Sequence, residues 1–170
     1  MATSLNSAKV GVSTAFDFSS TVDIGTVTHA AAWSPSYAFT DGTGANQAKV
    51  AFADERTLTA SSSENLDLAG GLTDAFGNTI TFTKIKALAV QASSGNTNDV
   101  LVGGAASNGF ITWVGDATDV VKVKPGGMFV IVAPDSTGLA VTAGTGDILK
   151  IANSAGSTSV TYKIVVIGTT

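Results

Sequence analysis

Turn-forming residues recur about every eight to twelve residues in the second half of the chain, and this rhythm limits the folds that the chain can adopt. The signals are short and rich in glycine, and they stand at 77–78, 94–96, 103–104, 115–116, 125–127, 134–138, 144–146 and 155–156. Turns at this spacing are typical of β-sandwiches and barrels. The strongest is Pro125-Gly126-Gly127, because proline presets φ for a turn and glycine adopts positive φ without a steric penalty.

The segments between these turns have the residues and the alternation of β-strands. Valine, isoleucine and threonine dominate them, and such residues fit a pleated surface better than a helix. From 159 to 167, Val160, Tyr162, Ile164 and Val166 fall on one face. The pattern predicts strands near 47–53, 56–62, 64–69, 79–92, 98–103, 109–114, 119–124, 127–133, 139–143, 147–152 and 158–167.

These strands predict an all-β fold. We expect a jelly-roll-like β-sandwich of about eight or more antiparallel strands, because that architecture leaves few exposed edges. The strands do not repeat with a period of about 20–50 residues, which argues against a solenoid or a propeller. Helix is expected to be minor, with one turn at Leu72–Phe76 as the candidate.

Residues 1–45 are less regular than residues 46–170, which we assign to the sandwich domain. Alternation in the first segment is partial, and a turn signal at Asp41–Gly44 closes it. Two interpretations fit: edge strands of the same domain, or an arm that completes its pairing on a neighbouring subunit. We single out Trp33, Tyr37 and Phe39 as interface candidates, because aromatic side chains frequently anchor protein interfaces.

The surface implied by the composition carries little charge. Charged residues make up 13% and hydrophobic residues 44%, with a net charge of −4. Weakly charged surfaces associate readily. The nine basic residues are scattered, whereas nucleic-acid binding needs a clustered basic footprint. Apolar runs such as Met128–Pro134 are far shorter than the about 20 residues of a membrane-spanning helix, so we expect neither a nucleic acid nor a membrane as a partner.

Catalytic and metal-binding signals are weak. His29 is the one histidine, in an irregular Thr/Ala stretch, and no nucleophile elbow accompanies it. Asp54 and Glu55 are neighbours, and neighbours in a strand point to opposite faces. The oxygen-rich stretches at Asn96–Asp99 and at Asp135 lack the EF-hand spacing. We predict no enzyme, no catalytic, cofactor-binding or metal-binding residues and no cofactor.

One resemblance covers about two-thirds of the chain, from about Thr57 to Ile167. It is carried by sequence words in a fixed order: 66–77 (LDLAGGLTDAFG), 82–88 (FTKIKAL), 102–108 (VGGAASN), 124–127 (KPGG), 132–135 (VAPD) and 141–147 (VTAGTGD). In these words the chain resembles small structural proteins of tailed bacteriophages, most closely their capsid decoration, or cement, proteins.

The resemblance implies a non-enzymatic virion protein on the outer capsid surface. Such proteins are often β-sandwiches or jelly rolls, contact the major capsid protein and commonly form homotrimers. The same words also fit a tail, neck or fibre-base protein of the particle. A carbohydrate-binding β-sandwich is a more distant alternative, in which Trp33 or Trp113 would be the stacking platform.

Overall fold

The computed structural model describes residues 5–170; residues 1–4 of the predicted N-terminal region lie outside it. Within that range the chain is all-β, without helix. Its strands are β1 Ala8–Gly11, β2 Thr14–Val22, β3 Gly25–Trp33, β4 Ser36–Asp41, β5 Gln47–Ala48, β6 Val50–Leu58, β7 Ser63–Asp67, β8 Ala69–Thr73, β9 Thr79–Thr81, β10 Lys84–Ala92, β11 Val100–Gly103, β12 Val120–Val123, β13 Met128–Val132, β14 Leu139–Ala140, β15 Ile148–Asn153 and β16 Val160–Thr169.

Eight of these strands form the two facing sheets of a jelly roll. The first sheet has the order β13-β10-β16-β6, with the short β14 also paired to β10, and the second has the order β12-β11-β15-β7. Neighbouring strands within both sheets are antiparallel. Along the chain, each of these strands crosses to the other sheet except at the β11–β12 connection, which gives the strand order of a jelly roll. The predicted fold class is confirmed.

The alternation predicted in the last strand is present. Val160, Tyr162, Ile164 and Val166 of β16 are buried in the cluster between the two sheets. β16 pairs with β6 on one side and β10 on the other, so its inner face is covered along its length. Complete burial of a Val or Ile side chain stabilises the fold by about 1.5–3 kcal/mol.

The strongest turn signal also forms as expected. Gly126 has φ +75°, and the Gly127 amide donates to the Lys124 carbonyl at 2.7 Å. Proline followed by a glycine with positive φ is the pattern of a type II turn. This turn leads into β13.

Three local expectations were wrong. The strands predicted at 47–53 and 56–62 are not separate, because β6 runs unbroken from Val50 to Leu58 across the predicted break. The predicted strand at 109–114 is an irregular loop, joined to β15 by an isolated bridge from Gly109 to Ile148. The predicted helical turn is replaced by β8 and a turn, in which the Asp74 carboxylate accepts hydrogen bonds from the amides of Phe76 and Asn78. An Asp side chain that binds nearby amides favours a turn over a helix.

Candidate protein-interaction site

The N-terminal region forms a two-stranded ribbon with a single register. At one end β1 pairs with β4 up to Gly11 and Ser36. After two unassigned residues on each side, pairing resumes between Thr14 and Trp33 and continues along β2 and β3. We call the β1–β4 part the base and the β2–β3 hairpin the arm.

A proline marks the joint between base and arm. Pro35 has no amide hydrogen and therefore cannot donate to the ladder. It still accepts a hydrogen bond from the Val12 amide at 3.2 Å, and the hydroxyls of Ser13 and Ser34 lie 2.8 Å apart. The two segments of the ribbon thus remain side by side where the regular ladder stops.

The base packs onto the outer face of the first sheet. Phe39 is 1% exposed and belongs to a second buried cluster with Ala48, Ala87 and Ile167. Tyr37 is partly buried against the same cluster. This part of the N-terminal region is packed on the sandwich of its own chain.

The arm, in contrast, stands free of the sandwich. Within the described residues, β2 and β3 pair only with each other. Every residue of β2 is exposed, and so is every residue of β3 except the half-buried Ala31. Both outer edges of the hairpin therefore present unpaired backbone groups, as in strands that add to another sheet.

The arm has one apolar face and one polar face. Residues directly opposite each other in an antiparallel pair point to the same side. By the register, the first side, which we call the dry face, carries Phe16, Phe18, Val22, Val27, His29, Ala31 and Trp33, besides Thr14, Ser20 and Gly25. The other side carries Ala15, Asp17, Ser19, Thr21, Thr26, Thr28, Ala30 and Ala32.

Ring contacts confirm that the large side chains share one face. The rings of Phe16 and Phe18 have centroids 5.4 Å apart. The ring of His29 meets Phe16 edge-on at 5.5 Å. The single histidine of the chain is thus part of an aromatic surface.

The dry face is largely open to solvent. Phe18 and Trp33 are each 66% exposed, and Ile24 at the tip is fully exposed. Antiparallel sheets with one apolar face normally pack that face against something, and contiguous exposed apolar patches mark interaction sites. The arm therefore has the chemistry of a protein-contact surface.

The dry face continues the buried face of the base. Because the register is shared, Val10 and Tyr37 lie on the same side of the ribbon as Phe16 and Phe18. The first sheet covers the part of this face that lies on the base. None of the described residues forms a buried cluster with the part that lies on the arm.

The three interface candidates named from the sequence lie in different environments. Trp33 is on the open dry face, Tyr37 is half-buried at the base, and Phe39 is buried within the chain. We leave Phe39 out of the contact surface for that reason. Sequence reasoning did not single out Phe16 and Phe18, although the alternation in 14–22 carries the signal.

A polar cluster joins the two sheets at one edge of the sandwich. The Tyr162 hydroxyl donates to the Glu64 carboxylate at 2.7 Å, and Arg56 bonds the other oxygen of Glu64 at 2.5 Å and Asp54 at 2.9 Å. Burial, followed by the hydrogen bond to Glu64, raises the pKa of Tyr162 well above its usual range. Glu64 belongs to the second sheet and the other three residues to the first. The cluster therefore links the two sheets, and we call it the clasp.

The remaining sequence candidates for chemistry make structural contacts. Asp54 bonds Arg56, whereas Glu55 pairs with Lys163 at 3.4 Å, so the two neighbouring acids have different partners. Asp135 accepts hydrogen bonds from the amides of Thr137 and Gly138 in an Asx turn. Among residues 5–170 we find no group of three or more acidic or histidine side chains placed to hold a metal ion. Nor does that range contain a helix long and apolar enough to cross a membrane.

Trp113, one of the two tryptophans considered for stacking on a sugar, is engaged within the chain. Its ring lies 5.3 Å from that of Phe129, and its indole nitrogen donates to the Phe110 carbonyl at 2.8 Å. Trp33 is the tryptophan that remains open.

Comparisons with known proteins do not assign a family. No protein-family model matches the chain, and no curated protein matches it. A solved structure of "IMPa metallopeptidase in complex with T-antigen" resembles 75% of this chain with a TM-score of 0.38 and 16% sequence identity. The chain covers 14% of the length of that protein, and at this TM-score the likeness carries no argument about function.

Proposed function

We propose that the chain is a non-enzymatic structural protein of a virus particle, which decorates the outer capsid surface and stabilises it through protein–protein contacts. The observation that most directly supports the proposal is the arm, which projects from a well-packed sandwich and exposes the aromatic residues of its dry face. The low share of charged residues, 13%, also favours association. The particle itself is suggested by the resemblance to phage decoration proteins.

The mechanism is thermodynamic linkage between binding of this protein and assembly of the shell. A protein that binds the assembled shell but not its separated subunits stabilises the shell by mass action. Stable interfaces bury about 1,200–2,000 Å² in total, and the aromatic side chains of the arm, half to two-thirds exposed, each add roughly 100–150 Å² when covered. Repeated over many symmetry-related copies, contacts between the copies and contacts with the major capsid protein together hold neighbouring shell subunits in place.

The test compares particles with and without this protein. Particles of the encoding phage that lack the chain are heated, and the temperature at which they release DNA is measured. We expect release at a lower temperature, restored by adding the purified chain. Equal release temperatures for the two kinds of particle would contradict the proposal.

The place of the protein on the particle is tested separately. Electron microscopy of particles that carry a tagged copy is expected to show the label over the outer head surface. A label confined to the tail or neck would instead support a tail, neck or fibre-base protein, and would contradict capsid decoration.

A further inference from the structure

We infer that the dry face of the arm of one copy packs on the outer face of the first sheet of a neighbouring copy. This inference rests on the proposed role of the arm as a protein contact and names its partner, which is a second copy of this chain. The contact would link different patches on the two copies.

The same ribbon face already packs on the same sheet face within one chain. On the outer face of the first sheet, the base covers a row of four residues, which we call the covered row: Ala51, Ile167, Ala87 and Val132. Val10, Tyr37 and Phe39 of the base pack against this row. A contact between this face of the ribbon and this face of the sheet therefore already exists within each chain.

The next row on that face is apolar and less covered. It comprises Ala53, Val165, Ala89 and Val130, paired side by side across the four strands, and we call it the open row. Val165 is 39% exposed, Ala53 is exposed, and the other two are half-buried. Met128, exposed in the following row, extends the apolar surface at the β13 edge.

The arm and the open row are complementary in size, and neither brings an unpaired carboxylate or ammonium group. The dry face offers large rings, whereas the open row consists of alanine and valine, which leave room for rings to lie on the sheet. The dry face carries no carboxylate or ammonium group, since Asp17 lies on the other face of the arm and Asp23 at its tip, and its one titratable side chain is His29. The open row is uncharged, and in the following row Lys163 and Glu55 pair with each other at 3.4 Å. Packing the two together would thus bury no unpaired carboxylate or ammonium.

The area of the contact follows from the exposed side chains. The three aromatic residues of the arm, at half to two-thirds exposure, offer roughly 300–450 Å² when covered. The open row consists of small residues, two of them half-buried, so the contact lies below the about 1,200 Å² of standard interfaces and belongs to the weaker class.

The contact is heterologous, because it joins two different patches, the arm of one copy and the open row of the next. Heterologous contacts generate a closed ring when the rotation closes. Each copy would then give one arm and receive another, as in the homotrimer predicted from the sequence.

The test measures the mass of the purified full chain in solution by light scattering over a range of concentrations. We expect a closed oligomer for the wild type. Phe18→Asp on the dry face is expected to weaken association by at least about 30-fold, the scale of an interface hot spot, whereas Ser19→Asp on the other face keeps it. Val165→Asp in the open row is expected to weaken it similarly, whereas Val120→Asp, an equally exposed valine of the second sheet, does not. Circular dichroism shows whether each variant is folded.

Mixing the two weakened variants distinguishes an arm-to-sheet contact from an arm-to-arm contact. A mixture of Phe18→Asp and Val165→Asp chains pairs an intact arm with an intact open row, so mixed dimers are expected where neither variant associates alone. If Val165→Asp associates like the wild type while Phe18→Asp does not, the arm contacts another arm and the inference is wrong.

A wild-type chain that stays monomeric up to millimolar concentration would also overturn the inference. That result leaves the proposed function testable, because stabilisation of particles is measured independently of self-association.

Discussion

Asp17 and Phe18 are adjacent in β2, and their side chains point to opposite faces of the arm. Phe18 shares its face with His29, directly opposite in the register, whereas Asp17 faces the same side as Ala30. The arm is therefore two-sided, as expected of a sheet with one face packed, although no part of residues 5–170 covers its dry face.

The arm is expected to be dispensable for folding. Replacing Thr14–Trp33 by Asn-Gly joins Ser13 to Ser34, whose hydroxyls are 2.8 Å apart, and Asn-Gly suits a two-residue hairpin loop. Because the arm adds no side chain to either buried cluster, we expect the melting temperature to change by less than about 4 °C, the scale of 1 kcal/mol in a domain of this size. Calorimetry measures it, and loss of the cooperative transition would show that the arm belongs to the core.

Two phenylalanines on the same side of the ribbon should differ sharply in their effect on stability. Phe39→Ala empties a buried site and is expected to lower the free energy of unfolding by about 3–5 kcal/mol. Phe18→Ala changes an exposed residue, and we expect less than about 0.5 kcal/mol. Urea unfolding of both variants, at a concentration where the chain is monomeric, provides the comparison. Equal losses would mean that the arm is covered by its own chain.

The clasp between Tyr162 and Glu64 is expected to contribute to stability. Tyr162→Phe removes the hydroxyl that donates to the half-buried Glu64 carboxylate at 2.7 Å, and a hydrogen bond to a charged group contributes about 1.5–3 kcal/mol. Tyr37→Phe at the base is the matched change at a half-buried tyrosine. Urea midpoints of the two variants are compared, and a smaller loss for Tyr162→Phe than for Tyr37→Phe would contradict the clasp.

Asp135 is expected to make stability depend on pH. Hydrogen bonds from the amides of Gly138 and Thr137 hold the pKa of this carboxyl below its usual range. A carboxyl with a lowered pKa in the folded state stabilises the fold above its unfolded pKa of about 3.9, and that contribution disappears as the pH falls through the folded pKa. Asp135→Asn should therefore be less stable than the wild type at pH 7, and the difference should shrink as the pH falls below the unfolded pKa. Urea midpoints at pH 7 and at a series of lower pH values test this, and a gap that stays constant would contradict it.

The sandwich could be predicted because its signals are local. Turn residues punctuate the chain, and alternation in β16 places Tyr162 and Ile164 inside. The loop at 109–114 misled the prediction because its β-prone residues form local hydrogen bonds in place of a ladder: the Val114 amide donates to the Ile111 carbonyl, and the Trp113 indole donates to the Phe110 carbonyl.

The arm could be predicted only in part. Alternation from 14 to 22 indicates a two-faced strand, but the same alternation continues through the base. Phe18 and Phe39 lie on the same side of one ribbon and differ in what covers them. That difference arises at the Pro35 joint and from the packing of the base on the first sheet, which a single sequence does not encode in any local pattern.

The most direct test of an arm that serves protein contacts is binding of the arm-excised chain to particles that lack the protein. Purified wild-type and arm-excised chains are sedimented with these particles, and the bound copies are counted. We expect the wild type to saturate the particles and restore their heat resistance, and the folded arm-excised chain to do neither. Binding and protection by the arm-excised chain equal to those of the wild type would contradict the account.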